Sequence, residues 1–174
     1  YGITRSRLAK NGNIEVYISL DPGESLIIST SPEKYKGQEY VYYDHGTLPV
    51  EIKGTWKTDF IEGGPVIPAS RDLNTLMSWT DFGGDDVRNF SGTARYTISF
   101  KKPSGKADAW SLDLGKVCES ASIVLNGKEL AVLIGPEYKV TIDRKLLKPV
   151  NNLEIRVSNL MANHIAYLDK NNIT

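Results

Sequence analysis

Apolar and polar residues alternate with a period of two through most of the second half of this chain. Tyr96, Ile98 and Phe100 share one face of a segment whose other face is Arg95, Thr97, Ser99 and Lys101. Trp110, Leu112 and Leu114 alternate with Ala109, Ser111 and Asp113, and Leu153, Ile155 and Val157 alternate with Asn152, Glu154, Arg156 and Ser158. Successive side chains of a strand point to opposite sides, so each segment predicts a strand with one apolar and one polar face. Such strands belong to an antiparallel sheet packed on one side. Pro103-Ser104-Gly105, Asn126-Gly127, Gly135-Pro136 and Pro149-Val150-Asn151-Asn152 separate the runs with turn chemistry. Asn126-Gly127 is the sharpest of these signals. A type I′ turn needs positive φ at both central residues, so Ser122–Leu125 and Lys128–Leu133 are predicted to form a hairpin.

Helix is scarce. Ile142-Asp143-Arg144-Lys145-Leu146-Leu147-Lys148 carries an Asp at an N-cap position and is stopped by Pro149, which predicts a single helical turn. Asp72–Met77 reads equally as a short turn or a bent loop. Many short strands with regular turns predict an all-β fold, an antiparallel β-sandwich with at most one or two short helical turns.

The first part of the chain has a different texture. Asn13–Leu20 and Ser25–Thr30 are expected to pair across Asp21-Pro22-Gly23-Glu24, and a further strand is expected at Glu39–Tyr43, before Asp44-His45-Gly46. A boundary near residue 46 separates an N-terminal strand segment (1–46) from the sandwich (47–174). The segment reads as the end of a preceding domain or as strands packed on the sandwich. Tyr35, Tyr40, Tyr42 and Tyr43 form an aromatic-rich edge suited to a partner domain. The chain opens on Tyr1 rather than Met, which reads as a piece of something longer.

Composition narrows the classes. Lys plus Arg and Asp plus Glu number 21 each in 174 residues, for a net charge of zero. A neutral chain lacks the basic stripe that nucleic-acid recognition requires. No apolar run is long enough for a membrane span. Cys118 is alone, so no intrachain disulfide forms, and its place in an alternating run predicts a buried, inert thiol.

Seven segments then occur in a telling order: Leu20-Asp21-Pro22-Gly23-Glu24-Ser25, Gly54-Thr55-Trp56, Leu76-Met77-Ser78-Trp79-Thr80, Phe90-Ser91-Gly92-Thr93-Ala94-Arg95-Tyr96, Leu112-Asp113-Leu114-Gly115-Lys116-Val117, Val124-Leu125-Asn126-Gly127-Lys128-Glu129-Leu130, and Asn152 to Asn159. In that order they resemble the C-terminal β-sandwich of the α-L-rhamnosidases of glycoside hydrolase family 106, itself related to the sugar-binding domain of family 2. The resemblance runs from Asn13 to Asn163. It implies a galactose-binding-like jelly roll that is non-catalytic and supports the catalytic domain of the same parent protein. It further implies plant polysaccharide as substrate of that parent, and a location outside the cytoplasm, periplasmic or secreted. The family's acid and base lie on a separate barrel, so no catalytic residue carries over. Two segments depart from the family pattern. Leu133-Ile134-Gly135-Pro136-Glu137-Tyr138 stands where a Trp with paired prolines is usual, and Asn159-Leu160-Met161-Ala162-Asn163-His164 stands where another Trp is usual.

Candidate chemistry is sparse. Trp110 and Trp56 alternate in phase with apolar neighbours and are expected in the core. Trp79 lies in a loop-like segment and is the best candidate for stacking on a sugar. Tyr138, Asn163 and His164, all in the departing segments, complete the carbohydrate-binding candidates. Asp81, Asp85 and Asp86, with Asp59 and Glu62 as possible neighbours, form the acidic cluster. A solvated glycine turn is the favoured reading, and calcium is the alternative cofactor, because hard cations take carboxylate and carbonyl oxygens. The spacing is not that of an EF-hand loop. His45 and His164 have neither a partner at i+4 nor a nearby Cys, which argues against a metal. The rival readings are a stand-alone carbohydrate-binding module and a structural or adhesion sandwich.

Overall fold

A computed structural model of the chain describes residues 2–20, 25–33, 36–42, 49–135 and 137–173. The turn expected at Asp21–Glu24, together with Tyr35, Tyr43, Asp44-His45-Gly46 and Pro136, lies outside them. Two compact units divide the chain, Tyr1–Pro49 and Val50–Thr174.

In the first unit β1 (Ser6–Leu8) pairs antiparallel with β2 (Ile14–Val16), with Leu8 opposite Ile14 and Ser6 opposite Val16. On the other face of this ribbon Arg7 Nε meets Glu15 Oε2 at 2.6 Å. The expected pairing of Asn13–Leu20 with Ser25–Thr30 does not form, and residues 25–30 carry no strand. The strand folds back on its upstream neighbour instead. Asn11-Gly12 provides a tight reversal, with Gly12 at φ 86° and its N–H donating to the Ala9 carbonyl, and a short loop closes at less entropic cost than a long one. The strand expected at Glu39–Tyr43 reduces to one parallel bridge between Glu39 and Ile3. Tyr42 is the hub of this unit. Its hydroxyl donates to the Tyr17 carbonyl, and its ring meets those of Tyr17 and Tyr40 edge-on at 5.0 and 4.9 Å.

The second unit contains a six-stranded antiparallel sheet and a two-stranded one, and the all-β sandwich expected from the alternation is present. The large sheet comprises β3 (Trp56–Gly64), β4 (Arg71–Leu73), β5 (Ser91–Lys101), β7 (Ser120–Leu125), β8 (Lys128–Ile134) and β10 (Val150–Ser158), in the order β4-β3-β5-β10-β7-β8. The small sheet pairs β6 (Ala109–Asp113) with β9 (Lys139–Asp143). Asn126 and Gly127 have φ of 53° and 84°, so the β7–β8 hairpin turns as the dipeptide requires. The inward phase is the expected one: Ala94, Tyr96, Ile98, Ile123, Leu125, Leu153 and Ile155 are buried, facing a core that also includes Ile142 and Leu147.

Glycine explains how β3 and β5 come together at their ends. Gly63 lies opposite Gly92 in the register. A Cβ on Gly92 would sit 2.6 Å from Gly63 Cα and 2.7 Å from Phe90 Cζ, and one on Gly63 would meet the same ring at 2.8 Å. The two backbones therefore close over the Phe90 ring only because neither carries a side chain.

Helical structure is brief. The turn expected near Asp143 is a 3-10 turn at Arg144–Leu146, with the Asp143 carboxylate accepting from Lys145 N–H at 2.7 Å. Asp72–Met77 holds no helical turn; one lies just downstream at Trp79–Asp81. Asp85–Arg88 forms a four-residue helix, α1. The sequence reading does not anticipate α2 (Ala162–Lys170), a nine-residue helix beyond β10. Its half-buried positions are Asn163, His164, Tyr167 and Leu168, at helical spacing but half of them polar, so no apolar stripe announces it.

Candidate functional site

Trp79 is not an exposed platform. Its ring is 6% exposed and lies edge-on to Phe60 at 5.9 Å and to Phe90 at 5.8 Å. The 3-10 turn at Trp79–Asp81 folds the indole inward, and Val87 of α1 is fully buried in the same core. Trp110 is half-buried and packs on the margin of the core, so the indole expected inside is the more open of the two. Trp56 is buried as expected.

Asn163 and His164 sit at the start of α2 and bind the beginning of β5. Asn163 Nδ2 donates to the Phe90 carbonyl at 3.3 Å, and the His164 N–H donates to Ser91 Oγ at 3.0 Å. Asn159 completes the clamp. It accepts from Gly92 N–H through Oδ1 at 2.8 Å, donates through Nδ2 to the Phe90 carbonyl at 3.1 Å, and donates through its own N–H to the Gly92 carbonyl at 3.1 Å. A side-chain amide holds both a donor and an acceptor, which is what a strand end with an unpaired N–H and C=O needs. The polar atoms cited for Asn163 and Asn159 are thus engaged in holding the fold.

Tyr138 lies elsewhere. It is 8% exposed, and its hydroxyl donates to the Glu119 carbonyl. It floors an open depression of about 950 Å³ at one end of the sandwich, walled by Val117, Cys118, Ile134 and Leu160. The two segments that depart from the rhamnosidase pattern therefore meet here, Ile134 and Gly135 from one and Leu160 from the other. Cys118 is exposed, contrary to the buried thiol expected. The strand predicted before Ile123 begins only at Ser120, which leaves Cys118 in the loop that leads into β7. Around the depression Ile134 is 83% exposed and Leu160 61%, with Lys116 and Glu119 exposed beside them.

The acidic residues do not converge. Asp85 pairs with Arg88 at 3.6 Å and Asp86 with Arg71 at 3.8 Å. Arg71 also donates to the Phe82 carbonyl at 2.8 Å and lies over the Phe82 ring. Two different arginines thus neutralise Asp85 and Asp86, and no group of three metal-binding side chains occurs among the described residues. Asp59 is engaged separately. Ser70 Oγ donates to it at 2.6 Å and Arg95 Nη2 at 3.0 Å, with Lys57 at 3.4 Å. The Ser70 and Arg95 hydrogen bonds, aided by Lys57, hold its carboxyl below the usual carboxylate range, against the opposing effect of burial.

A smaller groove of about 410 Å³ lies on the large sheet, with Thr97, Ser99, Asn152 and Glu154 among its lining residues. No helix among the described residues is long and apolar enough to cross a membrane.

Comparison with known proteins places the chain beside glycoside hydrolases. No protein-family model matches it. A Formosa agariphila protein named "Putative beta-glucuronidase" is 31% identical over 120 residues, covering 67% of this chain and 10% of that protein. The structure of a rhamnosidase from Novosphingobium sp. PP1Y superposes with a TM-score of 0.56 at 28% identity, over 73% of this chain and 13% of the rhamnosidase. The β-glucuronidase of Ruminococcus gnavus shares the fold at a TM-score of 0.50 and 23% identity, over 64% of this chain and 22% of that enzyme. The chain is a glycoside-hydrolase-related domain that spans about a tenth of the curated relative it matches.

Proposed function

We propose that this chain is a non-catalytic accessory β-sandwich, galactose-binding-like, of a glycoside hydrolase of the family 106 α-L-rhamnosidase type. Its role is to brace the catalytic domain of the same polypeptide, and the parent enzyme acts outside the cytoplasm on plant-derived polysaccharide. The observation that carries this reading is the likeness to a small part, 13%, of a much longer rhamnosidase chain. The chemistry of the side chains agrees with it. Hydrolysis of a glycosidic bond normally uses two carboxyl groups about 5–10 Å apart across the bond, whereas here Asp59, Asp85 and Asp86 are each paired with arginine. A carbohydrate-binding module calls for a ring open to solvent, and Trp79 and Tyr138 are both buried.

The test is an assay of the 174-residue chain on p-nitrophenyl α-L-rhamnoside and p-nitrophenyl β-D-glucuronide, beside the complete reading frame that encodes it. The chain alone should release no nitrophenol, and deleting residues 50–174 from the complete protein should lower the thermal stability of its catalytic domain. Rhamnoside hydrolysis by the chain alone, abolished by Asp85→Asn or Asp86→Asn, would overturn the reading.

A further inference from the structure

We infer that the unguarded half of β8, with Leu160, Met161 and the depression beside them, is the seat of a neighbouring domain of the same polypeptide. This rests on the accessory-domain reading above and specifies the surface through which bracing occurs. β8 is an edge strand of the large sheet, so among the described residues one side of its backbone has no partner strand. Proteins guard such edges with charge, proline or a bulge. The guards of β8 all lie at its hairpin end: Lys128, Glu129 and the register shift opposite Ile123 and Val124. Its other half, Val132-Leu133-Ile134, has none, and Val132 and Ile134 are 58% and 83% exposed. Leu160 lines the same depression and is 61% exposed, and Met161, next in the chain, is 55% exposed.

The chemistry of this surface selects a polypeptide over a sugar. An open strand edge offers peptide N–H and C=O groups, which another backbone or its side chains match directly. The depression is lined by aliphatic Val117, Ile134 and Leu160 together with Lys116, Glu119 and Ser120, a mixture that apolar and charged side chains of a protein surface can match. Tyr138 presents no ring face, because the ring is buried and its hydroxyl is engaged by the Glu119 carbonyl. A tethered domain is favoured over a second copy because the matched regions make up 10% and 13% of longer chains. A covalent tether raises the effective concentration to the millimolar range, so a modest apolar patch suffices to dock.

Cys118, exposed on the wall of the depression, reports on its coverage. The rate of its alkylation by N-ethylmaleimide, read by peptide mass mapping, is measured in the 174-residue chain and in the complete protein. Coverage should slow labelling about tenfold or more in the complete protein, since a protected site reacts only on opening. Ile134→Asp together with Leu160→Asp in the complete protein should restore the rate. Hydrogen exchange at residues 132–135 gives the same comparison without substitution. Equal rates and equal exchange in the two proteins overturn the inference, as does protection of the isolated chain that grows with its own concentration or on adding L-rhamnose or D-glucuronate. Equal rates with no glycoside turnover by the chain would sink this surface and leave the accessory-domain reading standing. Turnover by the chain would sink that reading itself.

Discussion

Asp59 and Tyr96 each couple the stability of this fold to pH. The Asp59 carboxylate is held ionised by Ser70 and Arg95, with a native pKa below its ordinary value of 3.8. Its contribution is therefore complete above about pH 4, where the unfolded chain has ionised, and disappears as pH falls through the lower native value. Burial pushes the Tyr96 hydroxyl up to about 12. The sign is opposite: the stabilisation is complete below about pH 10 and is lost as pH rises through the native value. Urea midpoints measured across pH should show both limbs, with Asp59→Asn flattening the acid one and Tyr96→Phe the alkaline one. The indoles give a second prediction at this scale. Trp79→Ala should cost about 3–5 kcal/mol, as for a large core side chain, and Trp110→Ala about 1–2 kcal/mol, nearer the common value for a single substitution. Denaturant melts that ranked them the other way would contradict the placement of Trp79 in the Phe60–Phe90 cluster. That placement was not legible in the sequence. Period two reports on residues inside strands, but a Trp in an irregular segment is buried by tertiary contacts that leave no local pattern. The exposure of Cys118 has a related cause, since the alternation in the sequence extends upstream of Ser120, where β7 begins.

At the scale of the element, turns decide more than strands do. Asn126 tolerates the positive φ of the β7–β8 turn, and its side chain also ties that turn to the start of β10 and to the 3-10 turn before it. Its Nδ2 donates to Asn151 Oδ1 at 3.0 Å and to the Leu146 carbonyl at 3.2 Å, while its Oδ1 accepts from Asn152 N–H at 3.0 Å. Asn151 is fully buried and exchanges two hydrogen bonds with the Lys148 backbone, each of 2.8 Å. Asn151→Ala would strand the Lys148 N–H and carbonyl and one donor of Asn126. With each unsatisfied buried group costing about 1–3 kcal/mol, the total should reach roughly 2–4 kcal/mol after partial hydration. Faster hydrogen exchange at Asn126 and Lys148 should accompany the loss, and a melt within 0.5 kcal/mol of the parent, the usual range for a surface change, would refute it. The hairpin was legible because Asn-Gly fixes its backbone locally. The ribbon of β1 and β2 carries the same dipeptide at Asn11-Gly12, but the strand that follows it is itself followed by an apolar run at Ser25–Thr30, so the local pattern leaves its partner undetermined. Helix α2 was illegible because its inward face is built on the amide of Asn163 and the backbone of His164, which contact β5 by hydrogen bonds and not by apolar packing.

Across the whole molecule, every buried residue among those described belongs to Val50–Thr174. An isolated two-stranded ribbon such as β1–β2 is at best marginally stable in water, so cooperative stability should reside in the second unit. Removing residues 1–49 should leave the urea midpoint within about 0.5 kcal/mol of the parent in free energy, the usual range for changes away from a core. A loss of several kcal/mol would assign the N-terminal unit a structural share in the sandwich. The order of strands in the large sheet was not legible either, because pairing between distant segments leaves no trace in a local period.

That order has a consequence for how the protein comes into being. β10 lies between β5 and β7, and its register runs from Val150 opposite Lys101 to Ser158 opposite Thr93. A nascent chain emerging from the ribosome therefore holds two incomplete half-sheets, β4-β3-β5 and β7-β8, with facing edges open until β10 has been made. Contacts of such long sequence separation fold slowly, in milliseconds to seconds, and open edges invite pairing with other chains meanwhile. A chain ended at Lys148 should lack the cooperative melt and accumulate as aggregate, and adding residues 149–174 as a separate peptide should restore solubility by supplying the missing central strand.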